Sequence, residues 1–138
     1  MQYRHQVVVD IEDLLRQDIP LALSGAFSIY GAAPPVPETL GANLPLVIPE
    51  RVGGTRYSMV VDAHNVAFDV YAPTWGEAQE AAGHVVAAVS ELPYRSDTVG
   101  SYRETQITTH PYNNPDPEHP DIPRVSVNAQ VITRAMSI

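Results

Sequence analysis

Apolar and polar positions alternate with two different periods along this chain, and the periods mark out its elements. Over residues 74–92, "TWGEAQEAAGHVVAAVSEL", the residues Ala78, Ala81, Ala82, Val85, Val89 and Leu92 recur at steps of three and four. That spacing draws one apolar stripe on a helix. Glu77, Glu80, His84 and Glu91 fall on the other side, where His84 reads as a solvated imidazole beside Glu80. Thr74 followed by Glu77 is a capping box at the start, and Pro93 ends the element. Trp75, just inside the helix, reads as a packing anchor.

A shorter stripe, Ile11, Leu14 and Leu15, predicts an N-terminal helix within residues 7–23, capped by Asp10 and with Asp13 in its first turn. Pro20 implies that this helix is short or kinks there. Period two appears in residues 55–73, where Val66, Phe68 and Val70 alternate with Ala67, Asp69 and Tyr71. This stretch reads as a hairpin turning at "DAHN", residues 62–65, with Asp62 and Asp69 pointing outward. Residues 124–135 alternate as cleanly: Val125, Val127, Ala129 and Val131 on one face, Ser126, Asn128 and Gln130 on the other, a half-buried antiparallel strand. Residues 25–31 read as a strand carrying Phe27, and residues 97–110 as a strand exposed on one side. "LPLVIPERV", residues 44–52, is strand-like, but Pro45 and Pro49 confine it to a sheet edge, and Gly53 and Gly54 are expected to turn the chain. The order helix, strands, helix, strands predicts an α+β fold, a mainly antiparallel sheet with two helices packed on one face.

Length and composition fit one domain. The chain has 138 residues, 44% of them hydrophobic. Extended loops are expected around 31–45 and 110–124. The 8 basic side chains, all arginine, face 16 acidic ones, a net charge of −8 that disfavours binding to phosphate backbones. The absence of cysteine excludes disulfides and a Cys-ligated zinc. No apolar run reaches the length of a membrane span, and the N-terminus lacks the apolar core of a signal peptide, so a soluble protein that stays where it is made is expected.

The candidate chemistry is sparse. Among His5, His64, His84, His110 and His119 no pair has the helical spacing of a zinc site. "YNNPDPEHPDIPR", residues 112–124, is dense in oxygen ligands, but its four prolines separate Asp116, Glu118 and Asp121 and it lacks the glycine of a calcium loop. It reads as a stiff, polyproline-like connector with its acids in water. "RVGGTR" lacks a P-loop lysine, and no G-x-S-x-G is present. These residues give no catalytic, cofactor-binding or metal-binding assignment.

Three segments together resemble the tail terminator proteins of long-tailed bacteriophages: "LPLVIPERVGGTR", "FDVYAPTWGEAQEAAGHVVAAV" and "PYNNPDPEHPDIPRVSVNAQVITR". They span residues 44–134, and the proline-rich arm feeding the last strand is the most specific. The resemblance implies a structural virion protein, with no catalysis and no cofactor. Six copies would form a ring that caps the head-proximal end of the tail tube, stops its polymerisation and offers a head–tail joining surface. Its implied partners are copies of itself, the tail tube protein and head–tail connector proteins. Genomic DNA would pass through unbound, no membrane is involved, and assembly would take place in the host cytoplasm. Ring contacts are heterologous. The candidate interface residues are Pro35 and Glu38 in the loop around 34–43, Arg51, and Tyr112, Asn114, Asp116, Glu118, Asp121 and Arg124 in the arm, with Arg51 and Arg124 as partners for acids across the contact. Two other readings stand beside it. One is another head–tail connector or tail completion protein. The other is a small hydrolase or ligand-binding domain, which needs a concave pocket with convergent polar groups and would be favoured by a bound metal or a pocket joining His64, His110 and an acid.

Overall fold

The computed structural model describes residues 4–33 and 43–138. They form an α+β fold, in chain order β1 (Gln6–Val7), α1 (Ile11–Leu23), β2 (Tyr30–Gly31), β3 (Leu46–Ser58), β4 (Val61–Tyr71), α2 (Trp75–Glu91), β5 (Tyr102–Asn113), β6 (Arg124–Arg134) and β7 (Met136–Ser137). A five-stranded sheet has the order β2-β3-β4-β6-β5, antiparallel except for the short β2–β3 pair. β1 and β7 form a separate two-stranded pair.

Both helices lie on one face. Val66, Phe68 and Val70 of β4 and Val125, Val127, Ala129 and Val131 of β6 form one core with Ile11, Leu15 and Ile19 of α1 and the full predicted stripe of α2. The alanines of that stripe let α2 sit close to the sheet. Thr74 caps it as the sequence indicates, accepting from the Glu77 N–H at 3.1 Å and donating to the Glu77 carboxylate. Asp10 caps α1 through the Asp13 N–H.

Several expectations are corrected. Pro20 does not end α1, which runs to Leu23. The Arg16 carbonyl, left without the N–H that Pro20 lacks, abuts the backbone at Gly31, where a Cβ would overlap it. Residues 25–31 give only the two-residue β2, and Phe27 instead stacks on the His84 ring at 4.1 Å, so that imidazole is not simply solvated. Trp75 is 41% exposed and is no packing anchor. The hairpin turns at Met59–Val60; residues 62–65 lie within β4, and Asp62 is buried. Gly53 and Gly54 do not turn the chain. They make a bulge inside β3, shown by the register shift between Arg51 and Gly54 and by φ values of +126° and +148°. The extended segment expected over 110–124 is shorter, because β5 runs to Asn113.

The edge of β3 is closed to further strand pairing. Alternate residues of a strand turn their backbone groups to the same side. The Pro45 and Val47 carbonyls accept from Tyr30 and Ala32, so positions 45, 47, 49 and 51 face outward. Pro49 has no N–H, and the Arg51 N–H is taken by the Glu12 carboxylate at 2.7 Å. The glycine bulge follows at once. Each is a way to blunt an edge strand. On the opposite edge, β5 breaks register three times against β6.

Asp18 was not singled out by the sequence pattern. It sits in the apolar stripe of α1, fully buried, and accepts from the Val99 and Gly100 N–H groups and the Tyr102 hydroxyl at 2.6–2.9 Å. It fastens the loop before β5 to the helix, and burial followed by this bond pushes the Tyr102 hydroxyl pKa upward.

The bulge gives a discriminating pair of variants. A Cβ at Gly54 would overlap the Ala63 carbonyl, whereas at Gly53 it would meet open space. Gly53→Ala is expected to cost about 1 kcal/mol, from φ alone. Gly54→Ala should cost at least ~2 kcal/mol more, because backbone must move. Urea denaturation of both variants checks the difference.

Candidate functional site

The arm between β5 and β6 is a folded loop with a buried carboxylate at its centre. Asn113 ends β5 and Arg124 begins β6, and the Asn114 N–H donates to the Arg124 carbonyl at 2.9 Å, closing the base. Asp116 is 7% exposed. Its Oδ2 accepts from the Tyr71 hydroxyl at 2.7 Å and meets His119 Nδ1 at 3.0 Å, and its Oδ1 accepts from the Glu118 N–H at 2.9 Å. Arg124 stands 3.9 Å away and donates to the Asn114 and Pro115 carbonyls. His119 meets the Tyr71 ring edge-on, and Ile122 packs on Leu46, Ile48 and Tyr71, a small second core on the face without helices.

The sequence reading of this arm is therefore corrected. Asp116 is not in water; it is the hub that folds the arm back under the sheet. Burial works to raise its pKa, but the hydrogen bonds from Tyr71, Glu118 and His119 and the charge of Arg124 outweigh that and hold it at about 2. Tyr71 is shifted upward, first by burial and then by its bond to Asp116. The loop's shape comes from an aspartate turn and a tyrosine 45 positions earlier, and not from a polyproline-like path.

Of the candidate interface residues, the structure leaves Tyr112, Glu118 and Asp121 exposed around this arm, while Asn114 and Arg124 are half-buried. Pro35 and Glu38 lie outside the described residues. Both arginines expected to reach acids across a contact find partners within the chain. The Arg51 guanidinium donates to the Val9 carbonyl at 2.7 Å and to His64 Nδ1 at 3.1 Å. Neighbouring Arg56 grips Asp62 with two bonds, 2.7 and 3.0 Å, and reaches the Gln6 carbonyl. These two arginines strap residues 6–9 across the end of the hairpin.

An open cleft of about 340 Å³ lies under this strap, lined by Val8, Arg51, Gly54, Thr55, Asp62 and His64 among others. It joins His64 to an acid, but His110 is not part of it; that residue is exposed on β5, on the far side of β6. Both nitrogens of His64 are engaged, Nδ1 accepting from Arg51 and Nε2 facing Thr133 Oγ1 at 2.9 Å. Burial and the Arg51 charge lower its pKa to about 4, against the pull of Asp62. The ring is thus a neutral strut between three strands. Asp69 is likewise not a free outward acid, since it accepts from the Ser126 hydroxyl at 2.7 Å. Among the described residues, no group of three or more His, Asp or Glu is placed to hold a metal ion, and no helix is long and apolar enough to cross a membrane.

His64 and Asp116 give two steps on the acid limb of stability, and Asp62, held below its ordinary value by Arg56, adds to the lower one. His64 has a folded pKa below its ordinary 6.5, so the unfolded chain takes the proton first. Stability is complete above pH 6.5 and falls towards pH 4, by up to about 3 kcal/mol. Asp116 is held below its ordinary 3.8, so its contribution is present above that value and disappears as pH falls towards 2, a loss of about 2 kcal/mol. Denaturation at a series of pH values should show both steps; His64→Gln should flatten the upper one and Asp116→Asn the lower.

The chain matches no protein-family model and no curated protein.

Proposed function

We propose that this chain is a tail terminator of a long-tailed bacteriophage, a virion protein whose six copies form a ring that caps the head-proximal end of the tail tube. The reading rests on the resemblance over residues 44–134, and one observation in the structure carries it further. The arm that bears the most specific part of the resemblance is folded before it meets anything. Asp116 and Tyr71 fix its path, and Glu118 and Asp121 remain free at its surface. A preordered loop surrenders little conformational entropy on binding, which suits a segment whose task is contact with neighbouring subunits or with the tube. The net charge of −8 suits a channel that lets DNA through without holding it.

Light scattering after size exclusion, over a range of concentration and magnesium, tests the ring, with negative-stain images of the same fractions. The expected species is a ring with an open centre and a mass of about 90 kDa, six times the 15.0 kDa chain. Added to polymerising tail tube protein, it should fix tube length by occupying one end. A neck connector would bind the tube end or a preformed terminator without halting growth. A chain that stays at 15.0 kDa under every condition and leaves tube growth unaltered would refute the proposal.

A further inference from the structure

We infer that the chain associates with itself head to tail, the strap-and-hairpin end of one copy docking on the arm end of the next. This deepens the ring reading and rests on it in taking a second copy as the occupant.

The first surface is built where the hairpin turn meets the small β1–β7 pair. Val7 pairs with Met136, the Arg56 guanidinium holds the Gln6 carbonyl, and the Ala135 N–H donates to the Val60 carbonyl beside Met59. Val7, Val8, Val52, Tyr57, Met59 and Met136 are therefore gathered at one end, each 38–59% exposed. Val8 opens on the helix side beside His64 and Tyr57 on the other side beside Ile132, so these groups wrap around the end of the hairpin.

Charge says what covers it. Arg4, Arg103 and Arg134 stand exposed at this end beside one exposed acid, Glu104, and none of the three has a carboxylate within ion-pair distance among the described residues. Two copies of this surface facing each other would oppose arginine to arginine. The opposite end of the molecule carries the complementary set. Glu80, Glu118 and Asp121 are exposed without a cationic partner among the described residues, and beside them Trp75 and Tyr112 are 41% and 38% exposed. The Gln79–Asn113 and Ala72–Pro123 hydrogen bonds hold α2, β5 and the arm together there as one surface. An apolar end with three exposed arginines against one exposed acid thus matches an aromatic end with three exposed acids. Because the two differ, the contact is heterologous: it closes into a ring if the rotation per step allows and otherwise extends. The closed edge of β3 leaves side chains, and not that strand's backbone, to make it.

The chain's lack of cysteine allows a direct test. Met59→Cys and Trp75→Cys are made singly and together and treated with a bifunctional maleimide. β4 alone, with its 11 residues, sets roughly 35 Å between the two sites, so a shorter linker cannot join them within one chain. The double variant should give a ladder of covalently joined chains ending at six, and each single variant should stay uncrosslinked. Dimers from Met59→Cys alone would show that like surfaces meet, which overturns the inference. No ladder from the double variant, while the unmodified chain scatters as a six-membered ring, would overturn these surfaces and leave the ring. No ladder from a chain that also scatters as a monomer at millimolar concentration would overturn both. A second check is salt: raising it from 50 to 500 mM should weaken the ladder severalfold, and no effect would remove the charge complementarity on which the pairing rests.

Discussion

The pairing of β4 with β6 is the constraint on which the rest of the molecule depends. It runs without a register break from Val61↔Arg134 to Tyr71↔Arg124, whereas the ladders on either side of it are interrupted. Because a strand alternates faces at every residue, this one register decides what each face carries. It turns His64, Val66, Phe68 and Val70 towards the helices and Asp69 and Tyr71 away from them. A slip by one residue would put the valines in water and pull the Tyr71 hydroxyl away from Asp116. The arm, the strap and both helices are placed by this central pair of strands, which are far apart in sequence.

Around that frame, buried carboxylates set the course of the irregular segments. Asp18 holds the loop before β5, Asp62 holds Arg56 and through it the strap, and Asp116 holds the arm. Each is almost completely buried and each accepts from at least two donors. An unpaired buried carboxylate is costly, so each of these loops is confined to paths that keep its donors in place. In a strongly acidic chain, three of the acids are thus internal fasteners and the surface is less negative than the composition suggests.

The sequence was most legible where one face of an element is buried. The alanine and valine stripe of α2, its Thr74 cap, the alternation of β6 and the Asp10 cap all follow from local periodicity and local hydrogen bonds. Legibility failed where one residue type serves two geometries. Gly53 and Gly54 satisfy a turn as well as a bulge, and "DAHN" has turn composition although His64 is a strut in the middle of a sheet. Pro20 was tolerated because a distant glycine makes room beside the carbonyl that it orphans. The arm reads from sequence as an extended, solvated connector, whereas it is a folded loop with a buried acid, since only the fold brings Tyr71 to Asp116. For the same reason residue type could indicate that Glu118 and Asp121 are available at the surface, but not that Arg51 and Arg124 are occupied internally.

The closed edge of β3 bears on how any assembly of this chain is corrected. Strands that zip together through their backbones associate almost without regard to side chains, and once joined they rarely separate. Pro49, the Glu12 carboxylate over the Arg51 N–H and the glycine bulge remove that route. Side-chain surfaces must then supply the adhesion, and these discriminate between partners and release easily when only one contact is made. In the ring proposed above, a misplaced subunit would then be free to leave while one engaged on both sides would be retained, so an edge that offers no backbone pairing would also serve proofreading.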